Sequence, residues 1–318
     1  MSKKKGSGES KEFRTSIGGQ ALIEGVMMRG PTKEAIVVRT KDGLVSKVEE
    51  PKLLKDRYPI VGWPFVRGVV NFINSMIIGT RALMFSADHM PEEEQEEPSK
   101  FDLWVEKKFG TERAEKMIIV FSAFLGIAFS VGLFMLLPTF LAGLLSGVIE
   151  TGILRNLSEG VLRILIFVTY LWLTTHLGQI KRVWAYHGAE HKAITCYEKG
   201  LPFTVENVMA QSKQHPRCGT SFLFIVMIVS ILVFSFTSWD SLWVRIALRL
   251  LLLPVVVSIS YEIIRLAGRY DNFVTRMISA PGKALQRLTT REPDEEMVET
   301  AMEALRLVMP EDAQEAKW

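Results

Sequence analysis

Apolar residues gather in long runs along this chain, and those runs predict most of its elements. Residues 117–149 are 33 consecutive positions without an acidic, basic or histidine side chain. A helix crosses a bilayer core with about 20 apolar residues, and at ~1.5 Å per residue this run would reach about 50 Å. It predicts a first span over 117–138, with 139–149 bending away, re-entering or lying in the interface. Further runs predict spans over 161–179, 221–236 and 242–266. Arg245 and Arg249 fall in the opening turns of the last, where they need partners or snorkelling. The expected fold class is an α-helical membrane bundle of about four transmembrane helices with a small N-terminal β-rich cytoplasmic unit.

The remaining segments follow from local pattern. Residues 1–14 are polar and expected to be a disordered tail. Residues 15–60 read as the β-rich unit, since AIVV at 35–38, the turn chemistry of KDG at 41–43, and then Leu44, Val45 and Val48 fit a hairpin. Residues 61–89 hold large apolar side chains interrupted by Arg67, Asn71, Asn74 and Arg81. They predict an amphipathic or membrane-associated helix, with a fifth span as the alternative. Residues 90–116 begin with PEEEQEEPS at 91–99, an acidic linker, and continue into a short helix. The bundle occupies 117–292, and 293–318 is an amphipathic C-terminal tail carrying Met297, Val298, Met302, Leu305 and Leu307.

Charge sets the expected orientation. Net charge is +3, too small to argue for nucleic acid as a partner. Lys107, Lys108, Arg113 and Lys116 precede the first span. Lys181, Arg182, Lys192, Lys199, Lys213 and Arg217 lie between the second and third, and Arg265, Arg269, Arg276 and Lys283 follow the fourth. Cytoplasmic loops collect such residues, so both termini and the 181–220 loop are expected on the cytoplasmic side. Glu24 and Arg29 interrupt the first apolar stretch, so a cleavable signal peptide is not expected. The two cysteines, Cys196 and Cys218, then lie in a reducing compartment that disfavours a disulfide.

The chemistry concentrates in HGAEH at 187–191 and HPRCGT at 215–220. His187 and His191, four apart, face the same side of a helix one turn apart, and neutral imidazoles there can close on one transition-metal ion. Glu190 between them can serve as a base, in the inverted zinc-protease order H-x-x-E-H. His215 and Cys218 supply a second ligand pair in a turn just before a helix, whose N-terminus favours the thiolate. His187, His191, His215 and Cys218 are thus the expected metal ligands, zinc the expected divalent cofactor, and Glu190 the expected catalytic residue. Four bound ligands would close the site and make it structural; three would leave a position open to water, with Glu190 to accept its proton. His176 is excluded if one helix runs on to His187, because 11 residues would separate them by about 16 Å. Cys196 would point roughly opposite His187. Glu262 is an ionisable group near the end of the fourth span, with Arg265 as its expected partner. The glycine-rich GGQALIEGVMMRG at 18–30 predicts backbone bent or closely approached, a packed lid, with Glu24 able to reach the site.

GGQALIEGVMMRGP at 18–31, AYHGAEHK at 185–192 and HPRCGTSF at 215–222 together resemble the YqhQ-like family of uncharacterised bacterial membrane proteins, described as predicted metal-dependent enzymes. The resemblance implies a multipass protein of the bacterial plasma membrane and carries His187, Glu190, His191, His215 and Cys218 over as its functional set. It supplies no reaction. The first expectation is a metal-dependent hydrolase embedded in the membrane and acting at the cytoplasmic leaflet, on a lipid or membrane-proximal peptide. The alternatives are a scaffold or regulator with a structural metal, and an ion or solute transporter. The lipid bilayer is the expected partner.

Overall fold

The computed structural model describes residues 13–50, 58–90, 110–144, 152–236, 241–270 and 272–312, with Trp104, Lys107, Lys108, Glu315 and Ala316 besides. The acidic linker and most of the N-terminal tail lie outside these residues. The architecture is mostly helical with a small N-terminal antiparallel sheet. The chain divides into two compact units, the first comprising Met1–Met90, Leu171–Val226 and Pro254–Trp318, the second Pro91–Tyr170 and Met227–Leu253.

In the first unit, strands β1 (Gly18–Leu22), β2 (Gly25–Arg29), β3 (Glu34–Thr40) and β4 (Gly43–Glu49) pair in sequence order. Thr40 pairs with Gly43 across a two-residue turn at Lys41 and Asp42, where Gly43 takes a positive φ of 122°. The sheet is covered on both faces at β2, which is apolar from Gly25 to Met28 instead of alternating. Leu22 and Met27 pack with Ala82 of helix α1 (Val66–Asp88). Val26, Met28, Ala35 and Val37 enter the larger core with α5 (Gly178–Glu198) and α10 (Glu295–Val308). The tail predicted to be amphipathic is therefore a core element. Its N-cap Asp294 accepts from the Met297 amide, Glu295 and Glu296 occupy the first turn and Arg306 the last, matching the helix dipole. Met297, Val298, Ala301, Met302, Leu305 and Val308 form its buried stripe.

Helix α1 buries a face of small residues, Gly68, Gly79, Ala82 and Ser86, and exposes Ile73, Met76, Ile77, Leu83 and Met84. It is long and apolar enough to cross a membrane. Its C-terminal half, however, lies on the sheet, with the Ser86 hydroxyl donating to the Ile23 carbonyl. Its N-terminal end is fixed by Arg67, which pairs with Glu262 of helix α8 (Leu242–Arg269). Glu262 was expected to pair with Arg265. The contact between helices, set by the close approach of Gly68 to Ser258 and Tyr261, puts Arg67 there instead.

In the second unit, helix α2 (Thr111–Val131) runs through a π-helical segment, Gly132–Leu136, into α3 (Leu137–Leu144). The apolar helix expected to stop near Pro138 thus continues to Leu144, and Val120–Leu144 is long and apolar enough to cross a membrane. Pro138 has no N–H to give to the Phe134 carbonyl four residues back. Arg163 of helix α4 (Gly152–Thr174) supplies the missing donor, its Nε lying 2.9 Å from that oxygen. Glu159 is buried and holds two arginines. Arg163 Nη2 lies 2.7 Å from one carboxylate oxygen and Arg249 Nη2 2.7 Å from the other, and Arg249 also donates to Thr139. The partner that Arg249 needs is therefore Glu159, which lies just ahead of the expected second span.

Two further apolar helices, Leu154–Thr174 and Trp243–Arg269, have the length and composition to cross a membrane. After the short helix α6 (Val205–Met209), the expected third span is helix α7, Gly219–Phe234, of 16 residues, or about 24 Å. The expected second span ends earlier than 179. The chain turns at Thr175–Leu177 before α5 begins, so α4 and α5 are separate helices.

Candidate metal centre

Helix α5 carries His187, Glu190 and His191. At about 100° per residue the three fall within an arc of roughly 100°, and all three are buried. Cys218 caps the start of α7, its carbonyl accepting from the amides of Ser221 and Phe222. His187 Nε2 lies 3.1 Å from Cys218 Sγ. One ligand atom from each of His187, His191 and Cys218 lies within 4.8 Å of the other two. A tetrahedral zinc ion with bonds of about 2.0–2.3 Å has ligands roughly 3.3–3.8 Å apart, so shifts of up to about 1 Å would complete the shell.

Both imidazoles are oriented from behind. His187 Nδ1 is 2.8 Å from the Thr289 carbonyl, and His191 Nδ1 is 2.7 Å from the Lys213 carbonyl. A carbonyl only accepts, so each Nδ1 carries a hydrogen and Nε2 is the nitrogen left to face the sulfur and, once free of its own proton, to offer a lone pair, the second-shell arrangement typical of metal-ligating histidines. Thr289 ends α9 (Phe273–Thr289). It reaches His187 because Gly188 lets the segment after α9 close in: a Cβ there would lie 2.1 Å from the Arg291 carbonyl oxygen. The loop bearing Lys213 and Cys218 is fastened by Gln286 of α9, which accepts from the His215 amide at 2.8 Å and donates to its carbonyl at 2.7 Å.

His215 is buried but directed elsewhere. Its Nε2 is 3.1 Å from Glu198, a carboxylate that also pairs with Arg217. Its ring centre stands 5.7 Å from that of His191. The structure therefore joins His187, His191 and Cys218, and gives His215 to Glu198 as a partner. His176 is exposed, with Nδ1 on the Trp172 carbonyl. Cys196 is a free thiol in the core of the first unit. Glu24 sits in the two-residue turn between β1 and β2 with φ +52°, paired with Arg182 and 3.3 Å from the Tyr186 hydroxyl. It braces α5 without entering the cluster. Gly19 is the part of that glycine-rich stretch that meets the site, since a Cβ there would lie 3.0 Å from the Glu190 carboxyl carbon and 2.7 Å from the Met27 carbonyl oxygen.

The electrostatics suit a bound cation. Burial alone would push His187 down, but the Cys218 thiolate and its hydrogen bond, with Glu190 beyond, carry it up to about 9. Burial alone would raise Cys218, yet His187 and His191 bring it well below the usual thiol range. This is an imidazolium–thiolate pair in which a divalent ion can take the proton's place. Glu190, whose carboxylate lies 4.0 Å from His187 Nε2, is raised chiefly by burial, against the two neighbouring histidines. Burial lowers His215. His187, Glu190 and Cys218 open on a cavity of about 570 Å³, within the range of small-molecule sites.

A family model described as "Protein of unknown function (DUF1385)" matches residues 63–311. The chain belongs to the DUF1385 family. It is also 35% identical over 291 residues to the "Uncharacterized protein YqhQ" of Bacillus subtilis (strain 168), covering 91% of each chain. No solved structure matches. The family match takes in every residue of the cluster from His187 to Cys218, together with Gln286 and Thr289, and leaves the β-strands outside.

Several supporting groups carried no signal in the sequence. The carbonyls of Thr289 and Lys213 belong to every residue type, and Gln286 lies some 70 positions from the loop it fastens. Gly188 could have been singled out, because a glycine inside H-G-A-E-H weakens the helix and needs a reason.

Proposed function

We propose that the chain is a metal-dependent hydrolase of the bacterial plasma membrane, acting at the cytoplasmic leaflet, with zinc held by His187, His191 and Cys218. The observation that carries this reading is the ligand count: three donor atoms converge while Glu198 occupies His215. Three protein ligands leave one tetrahedral position, the arrangement of catalytic zinc. When bound, the ion would supply Lewis acidity toward a water or a carbonyl oxygen. Glu190 accepts and returns the proton, its proton affinity raised chiefly by burial. The carbonyls of Thr289 and Lys213 hold the imidazole tautomers, and β1 packs closely at Gly19 against the Glu190 carboxylate.

The membrane part of the reading rests on exposed surface. Phe121, Phe124, Leu125 and Phe129 of α2, and Leu165, Trp172 and Leu173 of α4, are exposed, an apolar expanse that suits lipid and not water. Helix α1 lies in the interface plane, small residues inward on the sheet and large apolar ones toward lipid. Lysines and arginines over 181–217 support a cytoplasmic position for the metal centre.

Burial of all three ligands favours a second reading, a structural metal that clamps the 210–218 loop to α5. Hydrolysis of a panel of acyl esters by the purified protein, chelated and then resupplied with zinc, separates the two. The enzyme reading expects Glu190→Gln to lower the rate by about 10²–10⁴-fold with zinc content unchanged. Zinc-independent turnover, or full turnover by Glu190→Gln, would contradict it.

A further inference from the structure

The cavity beside the metal centre has a composition that names a class of occupant. One wall is aromatic and aliphatic: Phe72 of α1, Phe222 and Leu223 of α7, and Ile264 of α8. Phe72 and Phe222 stand with ring centres 6.0 Å apart. His187, Glu190 and Cys218 line the same space. So does Arg265, which is half-buried and whose charge also reaches Glu262. Its neighbour Glu262 is taken by Arg67 in a two-pronged pair. A cavity with greasy walls, a guanidinium outside the two-pronged Arg67–Glu262 pair and a reactive edge matches a molecule with an apolar chain and an anionic head. A peptide needs hydrogen-bonding groups along its backbone; the edge strand β1 offers some where Gly18–Ala21 line the cavity, but the Phe72–Phe222–Leu223–Ile264 wall opposes a hydrocarbon chain better than a peptide backbone. The volume, about 570 Å³, suits one chain better than a whole diacyl lipid. Helix α1 forms a side of the cavity through Asn71, Phe72 and Ser75, and its other side exposes Ile73, Met76 and Ile77.

We propose that this cavity binds a single-chain anionic amphiphile, its chain along the Phe72–Phe222–Leu223 wall and its head met by Arg265 beside the His187–Glu190–Cys218 edge. The proposal rests on the hydrolase reading for what happens at the head, and on the interfacial placement of α1 for how the chain arrives. Arg265 carries charge selectivity because a guanidinium in a low-dielectric wall favours phosphate or carboxylate over a neutral head.

The test uses the full chain in nanodiscs of zwitterionic lipid, zinc-loaded or chelator-stripped. The probe is a palmitoyl monoacylglycerol phosphate bearing a photoreactive diazirine near the chain end. Labelling is expected to saturate and to map to residues 71–75 and 222–223. Unlabelled competitors should weaken by about tenfold for each two methylenes removed. Uncharged monoacylglycerol should compete about tenfold less well than the phosphate, and Arg265→Gln should erase that difference. Ser75→Trp, which fills the cavity from α1, should abolish labelling with zinc content unchanged. If that variant does not fold, the competitor series on the unaltered protein decides. Non-saturating label spread over exposed positions such as Phe124 and Phe129 would overturn the proposal, as would equal competition by charged and uncharged heads. Zinc measured on the same samples separates the two claims: saturable labelling of a protein that never binds zinc defeats the hydrolase reading alone, and zinc binding without saturable labelling defeats the amphiphile alone.

Discussion

Two buried polar clusters, one in each unit, differ in a way that separates scaffold from chemistry. In the second unit Glu159 faces Arg163 and Arg249, opposite charges in direct contact, with Thr139 and the Phe134 carbonyl taking further N–H groups. Donors there meet acceptors, and of the Glu159, Arg163 and Arg249 side chains only the Arg249 Nε–H is buried without a partner among the described residues. In the first unit the inward atoms of His187, His191 and Cys218 are three potential electron-pair donors aimed at one another, with their outward nitrogens already used on carbonyls. Like atoms converging on a point are stable only around a shared electrophile, a proton or a metal ion. Burial and polarity are common to both clusters; the direction of the lone pairs is what distinguishes them.

Substitutions sharpen the contrast. The largest effect is expected from Cys218→Ser or His191→Ala, which remove a ligand and should reduce zinc affinity by more than the ~10–100-fold typical of a second-shell loss. Zinc per chain after dialysis against a chelator checks this, and near-normal zinc in either variant would break the comparison. Next, Arg249→Ala leaves Glu159 buried with Arg163 alone. It should destabilise the protein by about 3–5 kcal/mol without changing zinc per folded chain, as read by thermal unfolding beside metal analysis. A linked loss of zinc would show that the two clusters are not independent. Acidification should act on the first cluster. His187 is held up to about 9 without metal, so below that pH an incoming ion must displace its proton. Zinc affinity is expected to fall by about tenfold per pH unit for each proton displaced, and a flat titration between pH 6 and about 8.5 would contradict it. The smallest effect is expected from His215→Ala, which should leave zinc affinity within about tenfold, a second-shell change at most, and loosen the loop that Glu198 and Arg217 hold.

Much of the site was legible because helix geometry is periodic. Residues four apart must share a face, which makes His187 and His191 neighbours from spacing alone. The helix start at Cys218 was marked by Pro216, Gly219 and the apolar run beyond. What spacing could not give was direction. His215 is as close in sequence to Cys218 as a ligand pair requires, yet Glu198, on the last turn of α5, captures its ring. Glu262 illustrates the same limit: Arg265 is the near partner by sequence, and Arg67, almost 200 residues away, is the partner in space. Glu159 escaped notice because a single acid ahead of an apolar run looks like the edge of a span until two arginines are seen to close on it. The helix boundaries around Pro138 and Thr175 depended on tertiary donors and turns that no apolar count contains. The amphipathic tail was visible as a pattern, whereas its place in the core, against Val26 and Val37, depended on a sheet formed some 270 residues earlier.

The most direct measurement is zinc K-edge X-ray absorption on the purified, zinc-loaded protein. One sulfur at about 2.3 Å, two imidazole nitrogens at about 2.0–2.1 Å and one further light atom that is not imidazole are expected. A shell of three imidazoles and one sulfur would make His215 a ligand and the site closed. A shell without sulfur would contradict the centre altogether.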